Sequence, residues 1–164
     1  MPYMSMHELI PELAMKETRT IIVFEGNKYG VPPAEYALIE MYCNEKDCDC
    51  RRVYITVVSS VANAAVAVLT YGWASEKHYV KWVSHGAHKD ISELDEFDQY
   101  AVRFMRSANL SDTNKQSKIA HLVLQMVKEN AFQDRDYVDR LKRHYKLFRE
   151  SVRKVYLNGG DFGE

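Results

Sequence analysis

Three cysteines, Cys43, Cys48 and Cys50, stand within eight positions of one another and are all the cysteines in this 164-residue chain. Thiolates at that density are soft ligands able to converge on one ion, and zinc takes them tetrahedrally at about 2.3 Å. The spacing is C-x4-C-x-C, not the paired C-x2-C of ribbons and fingers. Arg51 and Arg52 follow directly and favour the thiolate form. A fourth ligand must come from elsewhere, because no fourth cysteine exists. His78 is the first choice, then His85 and His88, with Asp47 or Asp49 as local alternatives and a partner chain's residue as another source. Two other readings stay open. The cysteines are reduced thiols in an acidic hairpin, Cys43 being a core residue, or they serve a thiol-dependent enzyme or redox protein through a pair such as Cys48 with His78. For the latter, the sequence offers no oxyanion loop and no orienting third group. Nothing near the loop reads as a water-activating metal site either, since H-E-x-x-H and H-x-E with P-C-x-x-C are both absent.

The cysteines lie between strand-like runs, which is why they would meet. Glu35–Cys43 alternates, with Ala37, Ile39, Met41 and Cys43 on one face and Tyr36, Leu38, Glu40 and Tyr42 on the other. Arg52–Val58 and Ala64–Trp73 are rich in β-branched and aromatic residues and continue a meander. With strand direction alternating, the end of the third strand returns to the edge that holds the cysteine loop. That topology is what nominates the histidines of residues 76–89. Glu40 and Arg52 are then expected as diagonal neighbours forming an ion pair on the sheet surface. Upstream, residues 1–17 form a short amphipathic helix with Pro11 in its first turn. Residues 20–24 form a strand, Gly26-Asn27 a tight turn, and residues 28–31 a returning strand.

After residue 76 the hydrophobic period becomes helical. Tyr79, Val80, Trp82 and Val83 mark a short helix. Ser92-Glu93-Leu94-Asp95 resembles a capping box ahead of Phe97, Ala101 and Phe104. Ile119, Leu122, Val123, Met126 and Val127 make an apolar stripe, and Leu141, Tyr145, Phe148 and Val152 make another on a long terminal helix closed by Gly159-Gly160. Strands precede helices. The expected fold is α+β: an antiparallel β-meander of three to five strands packed against C-terminal α-helices. It forms a single domain over residues 1–164, strand-rich over 20–73 and helical over 76–157.

Composition narrows the function classes. The formal net charge is −1 and 27% of residues are charged, so no bulk attraction to nucleic acid or membrane is expected. The least polar run, residues 57–71, falls short of the ~20 apolar residues of a membrane span. The first residues lack the basic-then-apolar order of a secretory signal. An odd cysteine count also argues against a disulfide framework. A cytoplasmic protein is expected. One segment departs from neutrality: residues 135–154 carry eight basic and three acidic side chains. A nucleic-acid reading would place Arg140, Lys142, Arg143, Lys146 and Arg149 on phosphates. The plainer reading is a solvated helix face whose long stems cover the edge of the core.

Tyr42-Cys43, Cys48-Asp49-Cys50-Arg51-Arg52-Val53, Tyr71-Gly72-Trp73 and the run Tyr137–Tyr145 resemble an uncharacterised family of small prokaryotic proteins. The likeness spans about residues 35–155. Some of its members carry a C-terminal cysteine-rich zinc knuckle of the kind found in secretion ATPases. Residues 158–164 contain no such knuckle, so its adaptor role is not carried over. The resemblance implies a stable fold and no activity. The expectation is therefore a small zinc-binding protein in which Cys43, Cys48, Cys50 and His78 hold a structural ion. It would serve as a binding module for a protein partner or as a homodimer. The alternatives are a nucleic-acid-associated protein and a thiol enzyme.

Overall fold

A computed structural model describes residues 2–163. The chain opens with strand β1 (Tyr3–Ser5), helices α1 (Met6–Leu9) and α2 (Pro11–Glu17), and strand β2 (Arg19–Val23). Strands β3 (Ala34–Cys43), β4 (Arg52–Ser59) and β5 (Ala64–Gly72) follow. Next come helices α3 (Glu76–Val83) and α4 (Glu96–Met105), then the short strand β6 (Asn109–Leu110). Helix α5 (Ala120–Val127) runs through a π-turn at Lys128–Phe132, and α6 (Arg135–Leu157) is the long terminal helix. The fold is α+β, as expected. The sheet order is β1-β3-β4-β5-β6, with β2 also paired to β3, and every pairing is antiparallel. The edge strands β1 and β6 are too short to carry a readable alternation, and they bring the sheet to six.

One face of the sheet makes the core. Tyr36, Leu38 and Tyr42 of β3, Val53, Ile55 and Val57 of β4, and Leu69 of β5 are buried with Val123 and Met126 of α5 and with Leu141, Phe148 and Val152 of α6. Each such side chain contributes about 1.5–3 kcal/mol when fully buried. The two apolar stripes are the reason these helices lie flat on the sheet. A smaller cluster of Tyr79, Val80, Leu94 and Val102 joins α3 to α4.

Several local expectations need correction. Residues 28–31 do not return as a strand. Asn27 Nδ2 donates to Phe24 O and Val31 O, at 2.9 and 2.8 Å, while its Oδ1 accepts from Tyr29 N. The side chain thus closes a loop, and β2 pairs with β3 instead. The capping box is Asp90 with Glu93, on a 3-10 turn, and Asp95 separately caps α4 through Asp98 N. Glu40 and Arg52 do not pair. In the observed register Glu40 lies opposite Ile55 and points among the helices, while the Arg52 guanidinium lies 5.9 Å from the Tyr54 ring centroid. Leu122, placed on the α5 stripe, is exposed.

Candidate metal centre

Cys43 ends β3, and Cys48 and Cys50 lie on the connection into β4. The hairpin brings the three sulfurs within 4.8 Å of one another, with Cys43 and Cys50 buried and Cys48 half-buried. Tetrahedral ligands at about 2.3 Å from zinc are about 3.8 Å apart, so a contraction of an ångström or less closes the cluster on an ion.

The loop is fixed by its surroundings. Arg149 of α6, only 4% exposed, donates to Cys43 O at 2.7 Å, Glu45 O at 2.7 Å and Lys46 O at 2.8 Å. Tyr156 Oη donates to Asn44 O at 3.1 Å, and Asn44 N donates to Pro2 O at 2.7 Å. Arg51 turns the chain with φ at 50°. Its N–H donates to Tyr145 Oη at 3.3 Å, and its carbonyl accepts from Tyr79 Oη at 2.9 Å. Helices α6 and α3 and the residue before β1 therefore hold the eight-residue connection 44–51.

The thiols are electrostatically unequal. Hydrogen bonds from Cys43 and Cys48 pull the Cys50 thiol down against its burial, helped by the Tyr3 hydroxyl, 3.7 Å from its sulfur, and by the Arg52 backbone N–H. Cys48 is pushed up by its contacts with Cys43 and Cys50 and then by burial. Cys43 is favoured as thiolate by the Cys48 contact, but the Cys50 contact and burial raise it on balance. The guanidinium of Arg51 is spent on Asp49, at 3.0 and 2.8 Å, and not on sulfur.

The returning strand behaves as its topology requires. Trp73 N reaches Arg51 O, and α3 sets His78 against the loop, Nε2 lying 2.9 Å from Asp49 O. His78 does not join the group of mutually close ligand atoms, which contains the three cysteines alone among the described residues. His88 Nδ1 is held by Glu93 Oε2 at 3.1 Å. His85 stands exposed at the end of α3 with φ at 51°. Asp47 lines a cavity of about 400 Å³ with Cys48, Tyr145, Lys146 and Arg153.

Half of the basic side chains of α6 have protein partners. Arg143 pairs with Glu17, Arg140 donates to Glu17 O, Lys142 lies 3.7 Å from Asp139, and Arg149 clamps the cysteine loop. Of the five residues nominated for phosphate contact, Lys146 alone has no protein partner among the described residues. Sequence reasoning missed a second buried polar cluster here. His144, fully buried, has Nδ1 2.7 Å from Glu40 Oε2 and Nε2 2.6 Å from Glu17 Oε2, and Tyr42 Oη donates to Glu40 at 2.7 Å. Glu40 on the inward face of an alternating strand was the available signal. No helix of the described residues is long and apolar enough to cross a membrane. The chain matches no family model, no curated protein and no solved structure.

Proposed function

We propose that this is a small cytoplasmic zinc-binding protein whose ion is structural. Cys43, Cys48 and Cys50 would hold it as thiolates. His78, already lying against the Asp49 carbonyl between two of them, is the nominated fourth ligand. The observation that carries the reading is the convergence of all three thiols within 4.8 Å on a loop clamped by Arg149. Cys43 and Cys50 also pack in the core, but packing does not require three sulfurs to converge, and zinc sites use such clusters. The bound ion would replace thiol protons and pin the β3–β4 hairpin to α3, beside the Arg149 clamp from α6, so the domain serves as a binding module and not an enzyme.

Elemental analysis of protein purified without added metal tests this directly. About one zinc per chain is expected, falling in Cys→Ser variants and in His78→Ala. Metal-free protein that is folded and indifferent to a chelator would sink the reading. The nucleic-acid alternative draws its support from the charge of α6, where Arg140, Lys142, Arg143 and Arg149 already face protein acceptors.

A further inference from the structure

The three thiols of the cluster differ in what can reach them. Cys48 is half-buried and lines the cavity of about 400 Å³ beside Lys146 and Arg153, whereas Cys43 and Cys50 are 3% and 2% exposed. They also differ in what holds them. Arg149 fixes the carbonyls of Cys43, Glu45 and Lys46, and its grip ends there. Cys50 lies under the Tyr3 hydroxyl, and Arg51 after it is held at its amide by Tyr145 and at its carbonyl by Tyr79. Cys48 sits between these two anchors, outside any strand or helix, where its N–H meets Glu45 O at 3.4 Å in a turn. The thiol that solvent reaches is thus on the limb freest to shift. Two anchored thiols stand within 4.8 Å of it.

We propose that the cluster is a site of reversible two-electron oxidation, at which hydrogen peroxide entering at Cys48 leaves a Cys43–Cys48 disulfide. The Cys48 sulfur attacks one peroxide oxygen and the O–O bond breaks. Cys48 becomes a sulfenic acid, and its proton leaves with the departing hydroxide as water. The Cys43 sulfur then attacks the Cys48 sulfur and the S–O bond breaks, the Cys43 proton leaving with that hydroxide as a second water. Two thiols and one peroxide give one disulfide and two waters, sulfur losing the two electrons that oxygen gains. Geometry selects Cys43 over Cys50 as the resolving thiol. A disulfide needs sulfurs about 2.05 Å apart with Cα atoms about 4.4–6.8 Å apart. Cys43 and Cys48 lie on the two limbs of the turn that Cys48 N closes on Glu45 O. Cys48 and Cys50 are separated by Asp49 alone, and the Asp49 carbonyl is tied to His78. The chemistry needs the thiols and not the ion, so the inference is independent of the zinc reading. Where zinc is bound, the bridge takes two of its three thiolates and releases it.

Titrating the purified full chain with hydrogen peroxide, with and without prior chelation, tests this through alkylation and peptide mass mapping. Two of the three thiols should be lost to alkylation, the map should join Cys43 to Cys48, and dithiothreitol should restore both. Cys50→Ser should still form the bridge. Cys48→Ser should lose it, and Cys43→Ser should stop at a Cys48 sulfenic acid that dimedone traps. Circular dichroism shows that each variant folds, and the wild-type map decides the pairing without any variant. Three alkylatable thiols after peroxide in both the chelated and unchelated samples overturn the proposal. So does a bridge through Cys50, or one that joins two chains. Protein that carries no zinc but forms the Cys43–Cys48 bridge sinks the zinc reading and supports this one.

Discussion

Replacing Arg149 by alanine separates a structural role for α6's charge from a nucleic-acid role. The guanidinium makes three charge-assisted bonds, to Cys43 O, Glu45 O and Lys46 O. Each such bond is worth about 1.5–3 kcal/mol net, but the sum overstates the cost. Removing the side chain recovers the desolvation of a buried cation, several kcal/mol in itself. Glu45 and Lys46 are exposed, so their carbonyls can bind water once released. What cannot be recovered is the Cys43 carbonyl left unpaired in a buried setting, about 1–3 kcal/mol, and the packing of the stem, about 1 kcal/mol. The expected loss is therefore about 2–4 kcal/mol, which at about 2–4 °C per kcal/mol lowers Tm by about 4–16 °C. Zinc affinity should fall about 10–100-fold, as when an outer-shell partner is lost. Urea unfolding, with and without metal, measures both. Arg149→Lys should rescue little, because one ammonium cannot span three carbonyls. Lys146→Ala, three residues before it and exposed, should cost under about 0.5 kcal/mol. An Arg149→Ala protein as stable as the wild type would refute the clamp. Under a phosphate-binding role the same variant would instead keep its stability and lose one unit of salt dependence in nucleic-acid affinity.

Other outcomes follow from the same geometry. If zinc saturates the site at about a thousand times its dissociation constant, a chelator removes about 4 kcal/mol, and melting should drop by about 8–16 °C; Cys48→Ser should abolish most of that shift. At His144, burial opposes protonation, but the hydrogen bonds and charges of Glu40 and Glu17 outweigh it and raise its pKa. Its stabilisation is complete below the unfolded value near 6.5 and is lost as pH rises through the raised folded value. Glu17 is held down to about 2, by Arg143 first and then by His144. Its contribution is present above the unfolded value of about 4.5 and is lost as pH falls toward 2. Stability should therefore crest between about pH 4.5 and 6.5, and a His144→Asn variant whose alkaline limb matches the wild type would refute the assignment. Gly72→Ala should cost about 1–3 kcal/mol, read by thermal melting, because the added methyl meets the Met105 carbonyl and not a yielding side-chain tip.

The meander was legible because its signals are local and redundant. In β3 the alternation puts Tyr36, Leu38, Glu40 and Tyr42 on one face by period alone, and these four are the inward side chains. The position of His78 beside the cysteine loop was likewise legible, since up-down-up topology returns the end of β5 to that edge. What could not be read depended on side chains that no short-range rule pairs. Asn27 turns a plausible hairpin into a closed loop with three bonds of its own. The Glu40–Arg52 pairing failed for a register reason: residues three apart along a strand face opposite sides, so an assumed alignment one residue off sends Arg52 away from Glu40. The charge of α6 looked like a solvated face because composition does not say which basic residues have acceptors 100 residues upstream.

Those acceptors explain why the most charged helix of the chain can also be one of its main core helices. His144 and Arg149 are five residues apart and both buried, positions where an ionised group persists only if paired. His144 meets Glu40 of β3 and Glu17 of α2, and Arg149 meets the carbonyls just beyond β3. Glu40 and Cys43 are three residues apart on that one strand, so α6 grips both ends of a short segment, one through a carboxylate and one through the backbone. The N-terminal helices are bound at the first grip, where Arg140 and Arg143 add their contacts to Glu17, and the cysteine loop at the second. A helix held only by its apolar stripe could slide along the sheet by a turn and remain buried. Fixed polar partners at both ends forbid that slide, because either shift would strand a charge in the core at a cost of about 3–5 kcal/mol. The register so imposed is what keeps the three thiols where an ion can join them.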